Sequence, residues 1–105
     1  MQTMNAPIPA LVRRPDVTPD TPIRSVQELL PPWKVLLHND EVHDMLYVVE
    51  SLLKAVPLTV DEAVQVMLEA HETGVGLVVV CPLETAEYYQ DRILTFGLHC
   101  TIEPE

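Results

Sequence analysis

Trp33-Lys34-Val35-Leu36-Leu37-His38, running into Asn39-Asp40-Glu41, is the stretch that decides the fold. Pro31-Pro32 before it stop any helix and favour extended backbone. The apolar run that follows reads as a strand, and the polar residues after His38 as a turn. Asp44 then stands where a helix N-cap belongs. Beyond it Met45, Val48, Val49, Leu52, Leu53 and Val56 recur at spacings of three and four, an amphipathic helix ending near Pro57.

The same reading continues toward the C-terminus. Thr59 with Glu62 makes a capping box. Ala63, Val66, Met67 and Ala70 form the apolar stripe of a second helix, which Gly74 stops. Val75 to Val80 is a nearly continuous β-branched run and reads as a buried strand. Pro82 opens a third helix, with Leu83, Ala86, Tyr89 or Gln90, and Ile93 inward. Gly97 caps it, and Leu98 to Ile102 reads as a last strand. The expected class is α+β: a small β-α-α-β-α-β domain with helices packed on one three-stranded sheet.

This domain is expected to occupy residues 32–105. Seven of the ten prolines lie in residues 1–32, which show no sustained period. Residues 1–31 therefore read as an extended, mobile tail with a short helical turn around Ser25–Leu30. No internal repeat or low-complexity segment is visible.

Charge is distributed unevenly. In residues 1–32, Asp16, Asp20 and Glu28 balance Arg13, Arg14 and Arg24, so the net charge of −10 belongs to residues 33–105. That argues against nucleic acid, which needs clustered Lys and Arg, and suits a cationic ligand or a basic partner. No apolar run approaches the roughly 20 residues of a membrane span. No secretory signal is visible. Cys81 and Cys100 read as reduced, small apolar residues, with a disulfide as the lesser alternative. The expected location is the cytoplasm.

Asn39, Asp40 and His71 offer a carbonyl oxygen, a carboxylate and a neutral ring nitrogen. Three acceptors match the three N–H donors of a peptide α-ammonium, whose pKa of roughly 7.7–8.0 keeps it mostly charged at neutral pH. The turn into the first helix lies near the end of an antiparallel second helix, so these residues can converge. Met45, Val48, Met67 and Ala70 are on neighbouring helix faces and can line a side-chain pocket, methionine being adaptable in shape.

Each element also has a plainer reading. Asn-Asp before a helix is a common turn and cap. A histidine in a last helical turn complements the helix dipole. Met45 and Met67 fit an ordinary core. His38, His43 and His99 read as surface or boundary residues. Asp40, Glu41, His43 and His71 could be imagined around a metal in a small metal-dependent enzyme, but tight spacing such as H-E-x-x-H is absent. No Ser-His-Asp arrangement, phosphate loop or activated cysteine is apparent. Neither cofactor nor metal is expected, and the chain does not read as an enzyme.

Lys34-Val35-Leu36-Leu37-His38-Asn39-Asp40-Glu41, Met45-x-x-Val48, Glu62-Ala63-x-x-x-Met67-x-x-x-His71-x-x-Gly74, Ala86-Glu87 and Cys100-Thr101-Ile102-Glu103-Pro104 together resemble the ClpS family. That family consists of adaptors delivering N-degron substrates to the Clp AAA+ protease. The resemblance covers about residues 33–105. It implies the ClpS-like fold and a ligand that is a protein N-terminus beginning with Leu, Phe, Tyr or Trp. It assigns the α-amine to Asn39, Asp40 and His71. It makes Met45 the gate that disfavours β-branched side chains, and Val48, Met67, Ala70 and Leu98 the pocket walls. Glu69 and the outer face of the second helix would lie toward the unfoldase, and the tail would engage its pore.

The implied partners are a ClpA-like or ClpC-like unfoldase and N-degron proteins; a monomer is the default expectation for a chain of this size. Four departures stand out. Asp40-Glu41 replaces the usual Asp-Asp. His43-Asp44 replaces the usual Thr-Pro before the gate. Ala70 is smaller than is common there, and the segment Thr95-Phe96-Gly97-Leu98 is short. Of these, His43-Asp44 and Ala70 keep a second reading open, a ClpS-fold module that docks on the unfoldase without reading N-degrons.

Overall fold

The computed structural model describes residues 30–105. Its elements are β1 (Trp33–His38), α1 (Met45–Ala55), α2 (Val60–Thr73), β2 (Val75–Cys81), α3 (Leu83–Thr95) and β3 (Cys100–Pro104). This is the expected β-α-α-β-α-β order. The tail and the turn expected around Ser25–Leu30 lie outside the described residues, except for Leu30 and Pro31.

Local chemistry accounts for the helix ends. The Asp44 carboxylate caps α1 by accepting from Tyr47 N–H at 2.8 Å. Around α2, Thr59 Oγ1 accepts from Glu62 N–H at 3.1 Å while Glu62 Oε1 accepts from Thr59 N–H at 2.9 Å. These bonds satisfy helix-terminal donors that have no partner within the helix. Gly74 ends α2 at φ +96°, a left-handed conformation in which a Cβ is strained. At the other end of α1, the Arg92 guanidinium of α3 donates to the carbonyls of Lys54 and Ala55.

The sheet is antiparallel, in the order β2-β1-β3. Along β1, Val35 and Leu37 are buried and alternate with partly exposed Lys34, Leu36 and His38, the period of a strand with one covered face. Val35 and Leu37 join Leu52, Val66, Ala70, Ala86, Ile93 and Cys100 in a single core.

Two strand expectations are revised. β2 is an edge strand rather than a fully buried one, with Leu77 41% and Val80 36% exposed. A register shift opposite Val35 and Leu36 places Val79 and Leu77 as their partners, so Val78 is the extra residue of a bulge on β2. Its open edge is partly covered, because Glu69 Oε1 of α2 accepts from Leu77 N–H at 3.0 Å. The last strand begins at Cys100, not Leu98. Gly97 at φ +82° turns the chain, and Leu98 enters the core before pairing starts.

A candidate pocket for a protein N-terminus

The turn after β1 is tied directly to the end of α2. His38 pairs with Val75 at the end of the β1–β2 ladder. One residue on, Asn39 N–H donates to the Gly74 carbonyl at 2.9 Å. Gly74 N–H in turn donates to Ala70 O at 2.9 Å, within the turn of α2 that carries His71. Strand pairing plus a left-handed glycine therefore brings Asn39-Asp40 and His71 together. This is a tighter cause than the helix pairing argued from sequence.

Between them lies a small open pocket lined by Leu37, His38, Asn39, Asp40, His43, Met45, Val48, Met67, Ala70 and His71. All three expected amine-binding residues and four of the five expected walls line it. Leu98 does not; it is 3% exposed, within the core. His38 and His43, read from sequence as boundary residues, do line it.

The polar end is organised. Asn39 Nδ2 donates to Glu41 Oε2 at 2.7 Å, which turns the amide so that its carbonyl oxygen is left for a ligand. Asp40 Oδ1 accepts from Val42 N–H at 2.6 Å and His43 N–H at 2.8 Å, and Oδ2 from His43 Nδ1 at 2.7 Å. Burial alone pushes the Asp40 carboxyl up. The hydrogen bonds from His43 and Val42, with the charge of His43, outweigh that and hold it below the ordinary value. The His71 side chain is exposed and makes no hydrogen bond or ion pair with another described residue. The rest of the lining is largely apolar: Val48 and Ala70 are buried, Met67 half-buried, and Met45 is 45% exposed. Among the described residues no cluster of three or more His, Cys, Asp or Glu could hold a metal ion. Nor is any described helix long and apolar enough to cross a membrane.

A concave site with apolar walls and a few convergent acceptors is built to hold a small amphipathic group. The comparisons with known proteins give the family. The family model of the ATP-dependent Clp protease adaptor protein ClpS matches residues 28–101, and the chain belongs to that family of adaptors in Clp-dependent proteolysis. The ATP-dependent Clp protease adapter protein ClpS of Synechococcus sp. (strain CC9902) is 52% identical over 81 residues, 76% of this chain and 78% of that protein. The protein of the same name from Synechococcus elongatus is 40% identical over 95 residues, 90% of this chain and 94% of its own. Among solved structures, Agrobacterium tumefaciens ClpS2 bound to L-phenylalaninamide superposes with a TM-score of 0.68 at 31% identity, covering 71% of this chain and 98% of that one.

Proposed function

We propose that this adaptor captures the free N-terminus of proteins beginning with Leu, Phe, Tyr or Trp and hands them to a ClpA-like or ClpC-like unfoldase in the cytoplasm. The observation that carries the reading is one pocket lined both by Asn39, Asp40 and His71 and by the apolar Met45, Val48, Met67 and Ala70. L-Phenylalaninamide, the ligand in the Agrobacterium relative's structure, has the same two-part chemistry: a free α-amine beside an aromatic side chain. Charge-assisted hydrogen bonds contribute about 1.5–3 kcal/mol each. Burying a large apolar side chain contributes a similar amount. Neither half suffices alone, so both the amine and the side chain are read. The acidic balance of residues 33–105 favours a cationic end group.

The test is fluorescence anisotropy with four labelled peptides, identical except for beginning with Phe, Leu, Ile or acetyl-Phe. Binding of the Phe and Leu peptides, with the other two silent, supports the reading. No binding to any of them refutes it and leaves the module that docks on the unfoldase without reading N-termini. In that case unfoldase binding survives mutation of the pocket.

A further inference from the structure

An ionised carboxylate has about four lone-pair directions. Those of Asp40 are almost all taken within the turn itself. Oδ1 holds two backbone N–H groups, Val42 and His43, and Oδ2 holds His43 Nδ1. The carboxylate cannot rotate, and one direction, on Oδ2, remains for a ligand. His43 is held in its turn. Its ring stacks on Tyr47 at 4.7 Å between centroids and 15° between planes. The Tyr47 hydroxyl donates to Phe96 O at 2.7 Å. On the α3–β3 connection, a Cβ placed on Gly97 would stand 3.5 Å from His43 Cε1. A chain of contacts thus runs from Phe96-Gly97 through Tyr47 and His43 to Asp40, which lines the pocket.

We infer that His43 is a positioning residue for amine capture: held between Tyr47 and Gly97, it fixes the Asp40 carboxylate so that the remaining lone pair of Oδ2 meets the incoming ammonium. The inference rests on the amine-binding reading above. Its physical content is preorganisation, since a carboxylate already immobilised loses little freedom when the ligand arrives. His43 makes no contact with the ligand in this role. Nδ1 carries the proton that goes to Asp40, so in the neutral ring Nε2 is the unprotonated nitrogen.

The test is calorimetric titration of the full chain with L-phenylalaninamide and with 3-phenylpropionamide, which lacks the amine. The variants are His43→Phe, His43→Asn, Asp40→Ala and the double variant Asp40→Ala/His43→Phe. Phenylalanine keeps an aromatic ring against Tyr47 but has no donor. Asparagine loses the ring but places an amide N–H near the position of Nδ1. The wild type is expected to bind only the amine-bearing compound. His43→Phe is expected to weaken it by roughly fivefold or more, and His43→Asn to recover to within about twofold of wild type. The double variant is expected to be no weaker than Asp40→Ala, because the two residues act as one unit. Thermal unfolding of each variant confirms that affinity is read on folded protein. Wild-type affinity in His43→Phe, or losses that multiply in the double variant, overturns the role of His43 while the amine-binding reading stands. Equal binding of the two compounds by the wild type overturns that reading, and the role of His43 with it.

Discussion

Gly76 of β2 lies against the backbone of α2: a Cβ there would collide with the Val66 carbonyl oxygen and stand 3.2 Å from Ala70 N. The missing side chain lets the helix settle directly on the strand, and that contact sets the height at which Met67, Ala70 and His71 meet the pocket. Gly76→Ala is therefore expected to lose about 1–3 kcal/mol of stability, the usual cost of overpacking. L-Phenylalaninamide affinity should also fall among the molecules that remain folded. Urea melts and titrations on the same variant check both. A stable variant with displaced binding would show that α2 has shifted; unchanged stability would show that the backbone gives way without cost.

The polar end of the pocket yields a second expectation. Asp40→Ala and His71→Ala should each weaken peptides with a free amine at least tenfold, on the scale of one charge-assisted hydrogen bond. The His71 variant should retain the wild-type urea midpoint, since the His71 side chain is exposed and bonds to no other described residue. Asp40→Ala also frees two turn N–H groups and should unfold slightly earlier. Anisotropy with a Phe-starting peptide and its acetylated twin measures the first effect. Unchanged affinity in both variants would remove these residues from the site.

Asp40 also gives the fold an acid-sensitive component. Its carboxyl lies below the ordinary value in the folded chain, where His43 and Val42 hydrogen-bond the charged form. A depressed folded pKa contributes stability that is fully present above the unfolded value of about 3.9 and is lost as pH falls through the folded value. Asp40→Asn should therefore be less stable than wild type near pH ~6, and the gap should narrow as pH falls from ~4 toward ~2. Paired urea melts at the two pH values decide it. A gap that stays constant across that range would mean the turn gains nothing from the charge.

The sequence made the helices plain because their signals are local. The Thr59–Glu62 capping box, the Asp44 cap and the Gly74 stop each act within a few residues of where they are read. Asn39, Asp40 and His71 were legible as acceptors, and the two segments do meet at one pocket. The cause was hidden, because the Asn39 N–H to Gly74 O bond depends on β1–β2 pairing. A β-branched run has the same composition in an edge strand as in a central one, so the exposure of Leu77 and Val80 could not be read from Val75 to Val80. His43 is half-buried, as a boundary residue is, but the sequence says little of its ring folding back onto Asp40. The one signal available was its place three residues after that acid, before a helix cap. Leu98, expected as a pocket wall, is not among the residues lining this pocket, and the turn at Gly97 that sends it inward is a matter of backbone conformation.

Met45 tests whether the rim discriminates between side chains. It is 45% exposed in the first turn of α1, while Val48, one turn further in, is buried. A flexible thioether at the mouth can lie along an unbranched Cβ, as in Leu or Phe, but crowds the second Cβ substituent of Ile or Val. Trimming it to alanine removes that obstruction and some of the apolar surface that covers a bound ring. Met45→Ala is therefore expected to strengthen binding of an Ile-starting peptide about fivefold or more and to weaken a Phe-starting one by a few-fold, which narrows the difference from both sides. Competition anisotropy with the two peptides against one labelled probe measures that ratio directly. If the ratio stays at its wild-type value, discrimination against β-branched residues comes from the buried walls, Val48, Met67 and Ala70, and Met45 serves only as cover.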